Sequence, residues 1–181
     1  MDYNSSVSTN NSNYATNWTG YTGDNIKLVC KKEQQDWNYV TQNKASEVSR
    51  NMYGSEAKVT SDLINSYAWD TAIVFIQKCG TESNSSTYSK TDGQSSTSTR
   101  EPQTTGTNIL NATKKVDKQC NIFDMAGNCF EWTTETYDNS DHPCVARGGN
   151  CDYRCGYPSN RGHYTTDGAV IYTSFRPLLY L

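Results

Sequence analysis

The sequence predicts an α+β domain in which two helices precede a loop-rich half built of short strands. Two segments of the first half carry apolar residues three and four positions apart, which is the period of a helix with one buried face. From residue 108 onward, short aromatic segments are punctuated by Gly, Asn and Asp, as is typical of short strands joined by turns. Because the helical and strand patterns occupy separate parts of the chain, they favour α+β over an alternating α/β fold.

The length and charge of the chain limit the functions that it can have. Its 181 residues suffice for one domain with a buried core, and 16 basic and 19 acidic residues give a net charge of −3. This balance lacks the basic surface that nucleic acids and anionic lipids require. No run approaches the ~20 apolar residues of a membrane span, and the N-terminus lacks the apolar region of a signal peptide. We therefore expect no nucleic-acid partner and no direct membrane insertion.

Two polar segments set the expected limits of the folded part. Residues 1–24 are mainly Asn, Ser, Thr, Tyr and Gly, and we expect a polar arm or loop there. Residues 81–107 are rich in Ser and Thr without a hydrophobic period, which predicts a long polar loop. The domain is accordingly predicted at 25–181, beginning with a strand at Asn25–Lys32, in which apolar residues alternate.

The first predicted helix lies in TQNKASEVSRNMYG. Thr41 is the expected N-cap, and Gly54 is the expected end of the helix. Ala45, Val48 and Met52 fall on one face and predict the buried side.

The second predicted helix lies in VTSDLINSYAWDTAIVFIQKCG. Thr60 or Ser61 is expected to cap it, Asp62 would interact favourably with the dipole of the first turn, and Gly80 would close it. The predicted buried stripe consists of Leu63, Ile64, Tyr67, Thr71, Val74 and Phe75. We expect this stripe to pack in the core and to have no further function.

The run NIFDMAGNCFEWTTE, Asn121–Glu135, is the most specific pattern in the chain. Gly127 and Asn128 fit a tight turn that needs an unusual backbone angle. Phe130 and Trp132 alternate along the residues that follow, so a strand there would bury both rings on one face.

Two carboxylates of this run lie seven positions apart, on either side of the turn. Glu131 would point away from the buried rings and toward Asp124, with backbone carbonyl groups between them. Oxygen ligands of this kind suit a hard cation. In the alternative interpretation, both carboxylates cap the turn and pair with arginine.

The same run resembles the D-M-x-G-N-x-x-E-W signature of the formylglycine-generating enzyme (sulfatase-modifying factor) family. The R-G-G at Arg147–Gly149 and the S-F-R-P at Ser174–Pro177 match that family's R-G-G and G-F-R landmarks in the same order. The resemblance covers roughly Asn25–Leu181. It implies a C-type lectin-like fold, rich in loops, with two helices and short antiparallel strands. It also implies a structural calcium, whose ligands would be Asp124, the carbonyls of Gly127 and Cys129, and Glu131.

Seven cysteines bear on whether the chain is an enzyme. Cys151 and Cys155 are the closest pair, and the three residues between them do not match the tight pairs of a structural zinc site. In the resembled family, the catalytic cysteines follow R-G-G at a different spacing, and the chain here ends SFRPLLYL rather than in that family's G-F-R-C. We therefore expect no enzyme activity. The alternative is a formylglycine-generating-enzyme-like oxidoreductase that acts on a protein cysteine.

The segment Arg147–Pro177 resembles the variable region of a second group, the C-type lectin-like variable proteins of diversity-generating retroelements. In those systems, found in phages and gut bacteria, a reverse transcriptase copies a template with errors at adenines and replaces the 3′ end of a gene. Between R-G-G and S-F-R-P, this chain carries the residues that adenine changes in Asn codons produce. The resemblance implies a protein that binds a ligand through this segment. The alternative is an ordinary Tyr-rich loop.

The composition of this segment suits a binding surface. Tyr, Ser, Gly and Asn dominate antibody loops, because Tyr gives rigid amphipathic area and small polar residues adapt. We expect Tyr153, Tyr157, Tyr164 and Tyr172 to be the anchors. The expected ligand is a protein or glycan on a cell surface, bound without a required cofactor. Display on a cell or on a phage virion would suit this role.

The expected ligand-binding residues all lie between the two landmarks. They are Asn150, Cys151, Asp152, Tyr153, Arg154, Cys155, Tyr157, Gly162, His163, Tyr164, Asp167, Ala169, Val170 and Tyr172. The residues of the same region that are expected to belong to the scaffold are Arg161, Thr165, Thr166, Phe175 and Arg176. His163 has the chemistry of a catalytic base, but the sequence offers it no evident nucleophile.

Overall fold

A computed structural model confirms the α+β fold, with helices first and most strands in the second half. It describes residues 28, 36–53, 58–80, 118–150, 157–170 and 172–181. The predicted arm at 1–24 and the predicted loop at 81–107 lie outside these residues, as does nearly all of the predicted strand at 25–32. The elements are α1 (Gln42–Arg50), β1 (Thr60–Leu63), α2 (Ser66–Cys79), β2 (Lys118–Gln119), β3 (Ile122–Phe123), β4 (Phe130–Thr136), β5 (Cys144–Arg147), β6 (Arg161–Tyr164), β7 (Thr173–Phe175) and β8 (Pro177–Tyr180).

A four-stranded sheet in the order β6-β5-β4-β7 carries most of the second half. β4 pairs antiparallel with β5, and β5 pairs antiparallel with β6. β7 pairs parallel with β4, so the expectation of antiparallel strands alone was wrong for this pair. The reason is topological: β6 runs in the same direction as β4, so the chain must cross to the opposite end of the sheet before β7 begins. Two small antiparallel pairs, β1 with β8 and β2 with β3, complete the described strands.

Helix α1 begins where the sequence predicts. The Thr41 side chain caps it by accepting a hydrogen bond from the Lys44 backbone N–H at 3.3 Å. Ala45 and Val48 are buried, and Met52 packs against the same core. The helix ends at Arg50, before the predicted end at Gly54, which lies outside the described residues.

Helix α2 begins later than predicted, and this is a correction. Thr60–Leu63 is a strand, because it pairs with Pro177–Tyr180 from the C-terminal end of the chain. The cap is Asn65, whose Oδ1 accepts from the Ala68 backbone N–H at 2.8 Å. The predicted end at Gly80 is confirmed, with its N–H donating to the Ile76 carbonyl at 2.7 Å.

The buried face of α2 also differs from the predicted stripe. Trp69, Ile73 and Ile76 are buried, whereas Tyr67 is 86% exposed. Val74 and Phe75 are exposed as well. The helical period was right but its phase was wrong, because the face that carries Trp69 packs against Met125 and Ala126 in the turn before β4. None of the helices in the described part of the chain has the length and apolar content needed to cross a bilayer.

Two hydrophobic clusters form the described core. The first surrounds Trp132, with Trp37 packed edge-on against Phe175 at a centroid distance of 5.7 Å. The second joins α2 to the turn before β4 through Trp69 and Met125. The indole N–H of each central tryptophan is satisfied: Trp132 donates to the Val40 carbonyl at 2.6 Å, and Trp69 donates to the Pro158 carbonyl at 2.7 Å.

The first glycine of R-G-G is required by its surroundings. Gly148 has φ +82°, which side-chain-bearing residues rarely adopt. A Cβ added there would lie 2.7 Å from the Met125 carbonyl oxygen and 3.2 Å from the Trp69 ring. The R-G-G landmark therefore marks a close approach between the end of β5 and residues 124–129, the turn between β3 and β4, which we call the motif turn.

We predict that Gly148→Ala destabilises the protein by about 2–4 kcal/mol, because it adds backbone strain to a steric clash. Urea unfolding followed by tryptophan fluorescence measures this. Ser159→Ala, at an exposed position in the same region, is the control and should change stability by no more than about 0.5 kcal/mol. An equal stability of the two variants would contradict the assignment of Gly148.

Candidate functional site

The motif turn between β3 and β4 is buried and conformationally unusual. Asp124 and Asn128 both have positive φ, at 58° and 62°. The unusual backbone angle expected in this turn therefore falls on Asn128 and Asp124. The Asn128 side-chain amide donates to Asp36 Oδ2 at 2.8 Å, which ties the turn to the segment before α1. Strand β4 then begins at Phe130, as predicted, and its Trp132 is fully buried.

Glu131 and Arg176 form a two-point ion pair at the centre of this region. The Arg176 Nε and Nη2 atoms donate to the two carboxylate oxygens of Glu131 at 2.5 Å and 2.6 Å. Nη2 also donates to the Phe123 carbonyl at 3.0 Å, and the guanidinium lies 5.6 Å from the centroid of the Trp69 ring. The arginine of S-F-R-P thus holds the glutamate of the E-W motif.

Burial and pairing act against each other on this pair. Burial raises the pKa of Glu131, and Arg176 opposes that rise without cancelling it. Burial alone would lower the pKa of Arg176, but the Glu131 carboxylate more than offsets it and the pKa is raised. The guanidinium is therefore charged at any physiological pH, and it is the cation nearest to Glu131 among the described groups.

The expected calcium ligands lie in and next to the motif turn, around the Glu131 carboxylate. Asp124, Gly127 and Cys129 are buried in the turn before β4, and Glu131 is buried near the start of β4. Arg176 uses one acceptor position on each oxygen of Glu131, and a carboxylate offers about four in total. The residues therefore leave room for an oxygen-ligated cation, and the pairing with arginine agrees with the alternative interpretation. Among the described residues, no group of three or more His, Cys, Asp or Glu side chains is arranged to hold a metal ion.

A buried arginine, Arg147, begins the segment Arg147–Pro177, which we call the framed segment. Arg147 is 0% exposed, and its Nη2 donates to Asp70 Oδ1 on α2, while its Nη1 lies 3.9 Å from Glu135 Oε2. Burial lowers the pKa of Arg147, and Asp70 opposes that effect. Arg161 on β6 joins the same group, with Nε 2.8 Å from Glu135 Oε1 and Nη2 3.4 Å from Asp70 Oδ2. Two arginines and two carboxylates therefore balance in charge.

Strand β6 separates the side chains of the framed segment onto two faces. Arg161 and His163 are exposed, whereas Gly162 and Tyr164 are half-buried. The Tyr164 ring packs against Trp132 at 5.3 Å and against Phe130 at 6.0 Å, so most of this expected anchor lies in the core. Burial, with a smaller contribution from Tyr172, raises the pKa of the Tyr164 hydroxyl.

The other expected ligand-binding residues are spread over several environments. Tyr157, at 39% exposed, and Asp167 are on the surface. Asn150 is 2% exposed, so it lies beneath the surface. The half-buried members are Ala169, Val170 and Tyr172. The members outside the described residues are Cys151, Asp152, Tyr153, Arg154 and Cys155.

One residue of the exposed face was not expected from the sequence. The Tyr137 ring, just after β4, stacks on His163 with a centroid distance of 3.9 Å and an interplanar angle of 4°. Tyr137 is 47% exposed. It lies outside the framed segment, and no motif includes it. A period-two extension of β4 past Thr136 would have been its only signal in the sequence.

Comparisons with known proteins add little to this geometry. No protein-family profile matches the chain, and no curated protein matches it. Among solved structures, the crystal structure of CarF matches with 18% sequence identity and a TM-score of 0.37. That alignment covers 80% of this chain and 58% of that chain, and likeness at this level supports no argument about fold or function.

We predict that Arg176→Met destabilises the protein by about 3–5 kcal/mol, because it leaves the Glu131 carboxylate buried without this partner. The double variant Glu131→Leu/Arg176→Met should recover at least half of that loss, because it buries no unpaired charge. Thermal and urea unfolding of the three proteins measure both effects. Equal stability of the single and double variants would contradict a role for the pair.

The same unfolding experiment separates the two interpretations of the motif turn. If calcium binds there, a chelator lowers the melting temperature of the unmodified protein, and added calcium restores it. If Arg176 alone balances Glu131, the melting temperature is the same with and without the chelator. Magnesium at the same concentration is the control for a nonspecific ionic effect.

Proposed function

We propose that the protein is a ligand-binding variable protein of a diversity-generating retroelement, with a C-type lectin-like fold of the formylglycine-generating-enzyme type. The α+β order, the burial of the D-M-A-G-N turn and the pairing of its glutamate with the S-F-R-P arginine support this proposal. Each of the three landmarks of the resemblance takes part in the described core.

The observation that carries the proposal is the contrast between the framed segment and its two ends. Arg147 at one end and Phe175 at the other are 0% and 2% exposed. Between them, Tyr157, His163 and Asp167 are exposed. Side chains on a solvent-facing surface contribute little to stability, so they can change while the ends keep the fold.

The chemistry of the exposed side chains suits recognition. Tyr157 and the Tyr137–His163 stack offer rigid aromatic area with polar atoms, and Asp167 supplies charge. The proposed mechanism is binding, in which no bond is broken. It requires no cofactor, and a calcium ion at the motif turn would act on stability only. The proposed partner is a protein or glycan on a cell surface, and the proposed place of display is a cell surface or a phage virion.

We predict that the 3′ end of this gene varies among clones of one population, and deep sequencing of that end tests it. The variation should fall on adenines in codons of the segment Arg147–Pro177 and spare the codons of Arg147 and of the expected scaffold residues Arg161, Thr165, Thr166, Phe175 and Arg176. A near-repeat of this segment and a reverse-transcriptase gene should lie nearby. The codons for residues 118–146 of the same clones serve as the internal control.

An invariant segment would contradict the proposal. In that case the oxidoreductase alternative is the next to test, with Cys151→Ser and Cys155→Ser variants in an assay of peptide-thiol oxidation. Loss of such an activity in both variants would establish that alternative. Variation spread evenly over the whole gene would also contradict the proposal, because it would show mutation without targeting.

A further inference from the structure

A polar cleft lies between the start of α2 and the sheet, beside the exposed face of β6. It has a volume of about 430 Å³, within the ~300–1,000 Å³ range of small-molecule sites. One wall consists of Asn65, Ser66, Tyr67 and Asp70 from the start of α2. None of its lining residues is among the expected variable ones, so this cleft is separate from the ligand-binding set described above.

The opposite wall comes from the sheet. Thr134 and Glu135 belong to β4, and Arg161 belongs to β6. Arg161 is an expected scaffold residue, although it lies within the framed segment. The cleft therefore combines fixed positions from a helix and two strands, which hold it in one shape without any variable residue.

The carboxylates of the cleft are pre-positioned as hydrogen-bond acceptors. Glu135 accepts from Arg161 Nε at 2.8 Å on one oxygen and from the Ser66 hydroxyl on the other. Asp70 accepts from Arg147 on one oxygen and from Arg161, at 3.4 Å, on the other. Each oxygen can accept about one further hydrogen bond, because a carboxylate offers about four positions. Held acceptors of this kind lose little conformational entropy when a ligand binds.

The charge of the cleft argues against ionic ligands. An anion would meet two carboxylates, Asp70 and Glu135, and a cation would have to compete with Arg147 and Arg161 for them. A neutral hydroxyl group meets neither difficulty, because it donates to a carboxylate and also accepts from an N–H group. Several adjacent hydroxyl groups would use several of these acceptors at once.

The remaining feature of the cleft is an exposed aromatic ring. Tyr67 is 86% exposed although it lies on a helix whose other face is buried. A ring in this position offers an apolar surface with a polar hydroxyl at its edge. A sugar ring has the matching pair of surfaces, an apolar C–H face and a hydroxyl-bearing edge.

We infer that this cleft is an invariant binding site for a neutral sugar residue of a glycan, held by Asp70 and Glu135 and covered by Tyr67. This inference goes beyond the proposed function and does not depend on it, because every lining residue lies outside the expected variable set. In a protein with a variable face, such a site would give each variant the same weak affinity for glycosylated surfaces.

The test uses the full chain, labelled with ¹⁵N, and titration by NMR with the methyl glycosides of glucose, galactose, mannose, fucose and N-acetylglucosamine. At least one of these probes should shift the backbone amides of Ser66, Tyr67 and Arg161, with a Kd on the order of 1 mM. The methyl glycoside of glucuronic acid, whose free carboxylate is anionic, and glucosamine, which is cationic, should bind more weakly than the neutral probe.

Two variants and one control make the test specific. Tyr67→Ala should weaken sugar binding about fivefold or more, because it removes the stacking surface. Thr134→Arg should abolish binding by filling the cleft from an exposed strand position. Tyr53→Ala, at a tyrosine that is 40% exposed and lies three residues after the end of α1, should leave the Kd unchanged.

Several results would overturn the inference. They are the absence of shifts at these amides with every neutral sugar, an equal effect of Tyr67→Ala and Tyr53→Ala, and tighter binding of the anionic methyl glycoside of glucuronic acid. A protein ligand whose binding is abolished by Thr134→Arg, without any sugar binding, would overturn it as well. These readouts do not depend on variation of the gene. A negative sugar titration would therefore leave the clone-sequencing prediction standing, and an invariant gene would leave the sugar site standing.

Discussion

The two-point ion pair between Arg176 and Glu131 is the interaction on which the rest of the fold depends. It joins the last landmark of the chain to the start of β4, and the same guanidinium reaches the Phe123 carbonyl and the Trp69 ring. The Arg176 backbone carbonyl also accepts from the Ile64 N–H at 3.2 Å, next to the β1–β8 pair. Arg176 therefore connects α2, β4 and the C-terminal strand, and removing its side chain would leave the Glu131 carboxylate buried without this partner.

Arg147 forms the corresponding ion pair at the other end of the framed segment, with Asp70 on α2. Each end is held by a charge pair with one buried partner, and the residues between them supply the backbone pairing of β6, the half-buried packing of Tyr164 and the Pro158 carbonyl that accepts from Trp69. This division explains how a polar, irregular segment can remain attached to an orderly core. It also places the cleft beside β6 in the fixed part, where a helix and two strands define its walls.

The sequence predicted the α+β order, the cap at Thr41, the strand at Phe130 and the close of α2 at Gly80, because these depend on local propensity and capping. It failed at Thr60–Leu63, which is a strand only because Pro177–Tyr180 pairs with it from the far end of the chain. It also missed the phase of α2, which is set by the packing of Trp69 against Met125 in the turn before β4. The Tyr137–His163 stack and the cleft could not be predicted, since both bring together residues from distant segments whose approach no local pattern encodes.

The central claim is that the buried residues at the two ends of the framed segment hold the fold, so that the exposed residues between them are free to change. Its most direct test is the free energy of unfolding of a triple variant in which Tyr157, His163 and Asp167 are each replaced by Ser. We expect this variant to lie within about 2 kcal/mol of the unmodified protein, because the three side chains are exposed and only the His163 stack is lost. A loss of more than about 3 kcal/mol, comparable to breaking a buried ion pair, would contradict the claim.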